Sequence, residues 1–191
     1  MSAPMSAPMS APMGAPALST IGRPGPGEYA EWYAPYLAAL GDADPLEALV
    51  AQGDEWRALL AGLDDAGARQ RYAPGKWSVK EVLGHVCDAE RVFSYRALRI
   101  ARSDETPLAG FDENAWVPVA GFDARPLAEL AGEREAVRAA TLALFRGLDR
   151  DAWTRAGSAN GQRVTVRALL FICAGHERHH QRVLRERYGL G

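Results

Sequence analysis

The chain has 191 residues, 48% of them hydrophobic and 24% charged, which suits one domain with a sizeable buried core rather than two. Its 22 Lys and Arg against 24 Asp and Glu give a formal net charge of −2, without the basic footprint of a partner for nucleic acid or an acidic membrane. No run approaches the ~18 apolar residues of a membrane-spanning helix, and the N-terminus lacks the basic and apolar regions of a signal peptide, so a cytoplasmic protein is expected.

Residues 1–16 read MSAP, MSAP, MSAP, MGAP, a repeat too small and too proline-rich to build a core. A disordered tail over 1–27 and a helical domain over 28–191 are expected. The domain opens on Tyr29, Trp32, Tyr33 and Tyr36, an aromatic cluster suited to packing a short arm against the rest. The first long helix is announced by Asp44-Pro45-Leu46-Glu47, a cap followed by a proline in the first turn, and carries Leu46, Leu49, Trp56 and Leu60 at helical spacing. The second begins at Trp77-Ser78-Val79-Lys80-Glu81-Val82, where Ser78 and Glu81 have capping-box spacing and Trp77 can staple onto Val82. His85 falls about 60° from Val82 around that helix, inside its apolar arc.

Between Ser103 and Pro126 no clear period is visible, and Pro107, Gly110, Pro118 and Gly121 read as a long irregular connection. It contains Phe111-Asp112-Glu113-Asn114-Ala115-Trp116, and Asp112 and Trp116 are expected to shape a pocket. The third helix follows Pro126 with Leu127, Leu130, Val137, Thr141 and Leu144, and Gly147 marks its end. A short link from Trp153 to Gly161 leads to a fourth helix capped by Thr165. Cys87 and Cys173, the two cysteines, lie within helical apolar patterns and read as free core thiols in a reducing compartment. The fold class is therefore all-α, a four-helix bundle with a long loop between its second and third helices.

The chemistry concentrates in Cys173-Ala-Gly-His176-Glu-Arg-His179-His180. Residues four apart on a helix share a face, so His176 and His180 can aim at one point, with His85 on a second inward face. Three neutral imidazoles leave positions open on a divalent transition ion, zinc or nickel first, which is the condition for a catalytic site. His179, at the edge of the face, reads as a residue supporting the ligands or as an alternative ligand. His176-Glu177-Arg178-His179-His180 also matches the H-E-x-x-H pattern of zinc proteases, with Glu177 as general base. The extended form of that pattern fails, because Val183 stands where it needs glycine, and Glu177 projects about 100° from His176.

The segments Lys76-Trp-Ser-Val-Lys-Glu-Val-Leu-Gly-His85, Phe111-Asp-Glu-Asn-Ala-Trp116, Val164-Thr-Val-Arg167 and His176-Glu-Arg-His-His180 together resemble the DinB-like, YfiT-related metalloproteins, over about Tyr29 to Tyr188. The resemblance implies a four-helix bundle, often dimeric, with a histidine triad that falls on His85, His176 and His180. It also implies one of two chemistries. One is transfer through a low-molecular-weight thiol activated by the metal, with a small electrophile as second substrate. The other is hydrolysis of a small molecule by metal-activated water, for which this sequence offers Glu177 as the assisting group. A stress-response protein that binds metal or ligand without catalysis is the reading from a different class.

Overall fold

The structure, a computed structural model, describes residues 21–191; the MSAP repeat lies outside them. Among the described residues, six α-helices and one hairpin make up the fold: α1 Ala34–Leu40, α2 Pro45–Leu60, α3 Val79–Ala101, α4 Glu113–Ala120, α5 Leu127–Arg146, β1 Ala156–Ala159, β2 Gln162–Thr165 and α6 Val166–Tyr188. Helices α2, α3, α5 and α6 form the bundle. The caps sit where the sequence places them. Asp44 accepts from the amides of Leu46 and Glu47, Ser78 and Glu81 close a capping box, and Thr165 accepts from the amide of Ala168. Each supplies an acceptor to amides that the helix itself leaves free.

The bundle does not run simply up and down. Helix α6 is the central element, packed on α3, α2 and the α1 arm, while α3 also packs on α5 and α2 meets α5 only lightly. The partner of α2 is thus α6, from the other end of the chain, rather than its sequence neighbour α3. The core falls into two apolar ends. One gathers Leu37, Leu49, Phe93, Ile100, Phe145, Trp153, Leu169 and Phe171; the other gathers Trp56, Val79, Leu83, Val86, Leu130 and Leu184. Along α6 the buried His176, Glu177 and Gln181 fall between them, and on α3 His85 and Glu90 flank the same boundary.

That polar layer includes an ion cluster. Glu177 of α6 is clamped by Arg134 and Arg138 of α5, and Arg138 also pairs with Glu90 of α3 at 2.7 Å. Arg138 donates further to the Leu49 carbonyl of α2, so all four bundle helices meet there. Burial alone would lower the Arg138 value, but Glu177 and Glu90 more than reverse it, so its value lies above the ordinary one.

Three features differ from the sequence expectation. Packing begins before residue 28: Ile21 is buried in the core and Arg23 donates to the Leu37 carbonyl at 2.8 Å. The stretch between Ser103 and Pro126 is not wholly irregular, because Asp112 caps α4 and the left-handed Gly121, at φ 68°, ends it. Pro118 lies inside this eight-residue helix and masks it in the sequence. The link to the last helix contains a hairpin. Asn160 and Gly161, at φ 52° and 71°, make the two-residue turn that an Asn-Gly pair favours. Leu108 of the α3–α4 connection pairs with this hairpin, its amide donating to the Ser158 carbonyl at 2.9 Å.

The α1 arm crosses α6 at Gly175, where a Cβ would stand 2.0 Å from the Tyr36 carbonyl oxygen. Backbone cannot yield as a side chain can. Gly175→Ala is therefore expected to lift the arm, at the upper end of the ~1–3 kcal/mol typical of overpacking. Faster proteolysis between residues 30 and 44, with the bundle resistant, is the expected readout; an unchanged cleavage rate would show that the crossing tolerates a methyl group.

Candidate metal centre

Capping fixes where α3 begins and therefore where His85 points. Ser78 and Glu81 set the first turn, and His85 lies on the inward face. The Trp77 ring rests against it, with centroids 4.8 Å apart, and the Trp77 carbonyl accepts from the Tyr188 hydroxyl at 2.6 Å. On α6, His176 and His180 are one turn apart on the face toward α3. Tyr36 of the arm and Phe93 of α3 close over His176 edge-on, at 5.1 and 5.5 Å between ring centroids.

The three histidines converge. His85 Nε2 and His176 Nε2 are 3.1 Å apart, and His180 Nε2 and His176 Nε2 3.2 Å. One donor atom from each residue lies within 4.8 Å of both others. Metal–nitrogen bonds of about 2.0–2.1 Å place neighbouring ligand nitrogens about 2.9–3.4 Å apart in octahedral or tetrahedral geometry, so the donor set fits a divalent ion. The protonation state fits as well. Burial pulls His85 down to about 4, and burial together with the neighbouring imidazoles holds His176 and His180 well below the ordinary value. All three are neutral at pH 7, the form that binds metal.

The metal-free protein should accordingly lose stability on mild acidification. The unfolded chain takes up a proton at His85 near pH 6.5, whereas the folded chain does so only near 4. Between those values the unfolded state binds more protons, so stability falls as pH drops through the window and is unaffected above it. Urea midpoints at pH 7.5, 6 and 5 would check this, and a flat profile would contradict it.

Two cavities reach the triad. One, of about 320 Å³, is bordered by His85 and His176 and walled by Trp32, Tyr33, Tyr36, Phe93 and Phe111, with Arg96, Glu113 and Asn160 supplying its polar groups. The other, of about 280 Å³, opens on His180 and His179 beside Trp77, Lys76, Asn114 and Tyr188. The triad is therefore flanked by space rather than sealed in protein.

The sequence pattern of the DinB superfamily matches residues 48–184, which span α2 to α6 and all three histidines. The chain belongs to the DinB superfamily. Among solved structures, YfiT from Bacillus subtilis, described as a probable metal-dependent hydrolase with an unusual four-helix bundle topology, superposes with a TM-score of 0.66 at 18% identity. The match covers 88% of this chain and 94% of that one, and it shows a shared fold. No curated protein matches.

Within this DinB fold the other expected site residues are redistributed. His179 stacks edge-on against Tyr36 and His180, at 5.5 and 5.1 Å, and stands beside the triad outside the ligand set. Glu177 does not face the triad; both of its oxygens are occupied by Arg134 and Arg138, which removes it as a catalytic base. Asp112 spends its carboxylate capping α4, and Trp116, 42% exposed and tilted against Phe111, stands outside both triad cavities but lines a third, of about 610 Å³, with Phe111 and Arg96. The neighbours Phe111, Glu113 and Asn114 supply the cavity walls instead. Helical periodicity could not distinguish them, because α4 itself was hidden by Pro118. Sequence reasoning does not reach Arg96 or Asn160; the Asn160-Gly161 turn is the available signal for the second.

Proposed function

We propose that this DinB protein is a metal-dependent enzyme in which His85, His176 and His180 hold one divalent ion, zinc or nickel, and a small thiol is activated to attack an electrophile. The observation that carries the reading is the convergence of three neutral Nε2 atoms at the edge of an aromatic-walled cavity of about 320 Å³. A closed structural site would show a fourth protein ligand; among the described residues only these three histidines group as donors. When bound, the ion acts as a Lewis acid that lowers the pKa of a thiol or water held beside it.

The chain's own residues do the rest. Burial keeps the imidazoles unprotonated, Tyr36 and Phe93 cover His176, and Phe111 and Trp32 narrow the cavity so that water is partly displaced around a bound substrate. The buried Cys87 and Cys173 are poor nucleophiles: burial pushes Cys87 up to about 12 and Cys173 well above its ordinary value. The attacking thiol is therefore a substrate, in keeping with a reducing cytoplasm.

Hydrolysis is the second reading, favoured by the description of YfiT. Glu113, the carboxylate that lines the cavity, would then hold the proton taken from water in place of Glu177. Metal-loaded protein supplied with a reactive electrophile, with and without bacillithiol, mycothiol or glutathione, separates the two. Turnover that requires the thiol supports transfer. Ester or amide cleavage without thiol would replace it with hydrolysis, and no turnover in either arm would leave a binding protein.

A further inference from the structure

Arg96 stands on α3 at the wall of the 320 Å³ cavity bordered by His85 and His176, between it and a more open one of about 610 Å³, and is only 2% exposed. Its guanidinium donates to the Ala109 carbonyl at 2.6 Å and lies over the Phe111 ring at 5.8 Å. Among the described residues it is the buried arginine without a carboxylate: Arg134 and Arg138 are paired with Glu177 and Glu90, whereas no acidic group lies within 4 Å of Arg96. A buried cation without a counter-charge is costly unless something completes it. Glu113 lines the same cavity but is only partly buried and can keep its hydration, so it does not serve as the missing partner.

Resting on the enzymatic reading above, we propose that Arg96 binds the carboxylate of the substrate, which is a small organic anion with an aromatic or apolar body. The five aromatic walls take the body, and the planar fork of Arg96 takes the carboxylate. The reacting end is thereby directed to the side of the cavity where His85 and His176 stand. Glu113 adds a selection rule: a second anionic group on the substrate is disfavoured, and an uncharged or cationic one is accepted.

The test uses phenylacetate and its neutral analogue phenylacetamide as probes, with binding measured calorimetrically on metal-loaded protein. Phenylacetate is expected to bind at least about 10-fold more tightly, as a charge-assisted pair in a buried site allows. Arg96→Gln should abolish the preference while metal content stays at the parent level. Arg96→Lys, which keeps the charge, should retain part of it and covers the case in which the glutamine variant does not fold. Equal binding of the two probes by the parent, or a preference that survives in Arg96→Gln, overturns the proposal. Because a carboxylate can also sit on a metal, the titrations are repeated after chelation. A preference lost with the metal but kept in Arg96→Gln places the carboxylate on the ion, overturning the role of Arg96 and leaving the metal centre intact. An Arg96-dependent preference in a parent that binds no metal sinks the metalloenzyme reading and leaves the anion site standing.

Discussion

Replacing His176 with alanine should strip the protein of metal. Elemental mass spectrometry is expected to find about one divalent ion per parent chain and little in His176→Ala. His176 Nε2 is the shared vertex of the two short nitrogen–nitrogen distances, so its loss leaves His85 and His180 as a two-point site. Removing a partner of a ligand already weakens metal binding about 10–100-fold, and removing a ligand should exceed the upper figure. His85→Ala should behave alike, because it takes away the only donor from α3. His179→Ala is the contrasting variant: its ring lies beside the set, and metal content should hold. If the parent binds neither zinc nor nickel under loading, the triad is a packed polar cluster and the enzymatic proposal falls with it.

The second large effect lies away from the triad. Arg138→Ala should destabilise the fold by about 3–5 kcal/mol, the range for breaking a buried pair and stranding the other charge. Here Glu90 is stranded, since both of its oxygens are held by Arg138 alone, and Glu177 is left with Arg134 as its one partner. Against a typical domain stability of about 5–15 kcal/mol, such a variant is folded but easily unfolded. Its urea midpoint should fall far below that of the parent. Arg57→Ala, which breaks exposed contacts with Asp54 and Glu135, should change it little. A midpoint for Arg138→Ala within experimental error of the parent would mean that water enters the layer and hydrates the carboxylates.

What could be read from the sequence follows from what is local. The caps at Asp44, Ser78 and Thr165 and the stripes on the four long helices depend on residues a few positions apart, and they predict the bundle. The convergence of the three histidines was legible because each sits within an apolar arc, where a polar group needs a reason. The same reasoning could have reached the ion cluster. Arg134 and Arg138 occupy the stripe of Leu130, Val137 and Thr141, yet arginine on a helix reads as solvent-facing unless its partners on other helices are known. Those partners, Glu90 and Glu177, lie some forty positions away in each direction. The cavity walls were illegible for a further reason. Phe111, Glu113 and Asn160 come from a loop, the short helix it leads into and a hairpin, whose placement depends on the pairing of Leu108 with β1, a contact that spans about fifty residues of sequence.

The clamp on Glu177 sets the rotational phase of the last helix. Apolar packing lets a helix roll a little about its axis at modest expense, because one methyl group can replace another. A carboxylate gripped from two directions by guanidinium groups has no such latitude. His176 is the next residue back along the chain and points elsewhere around the same helix, so its heading is locked to that of Glu177. The bearing of His176 and His180 on α6 is thus kept by arginines on α5, a helix that contributes no residue to the triad. An apparently idle helix works as the compass of the histidine triad.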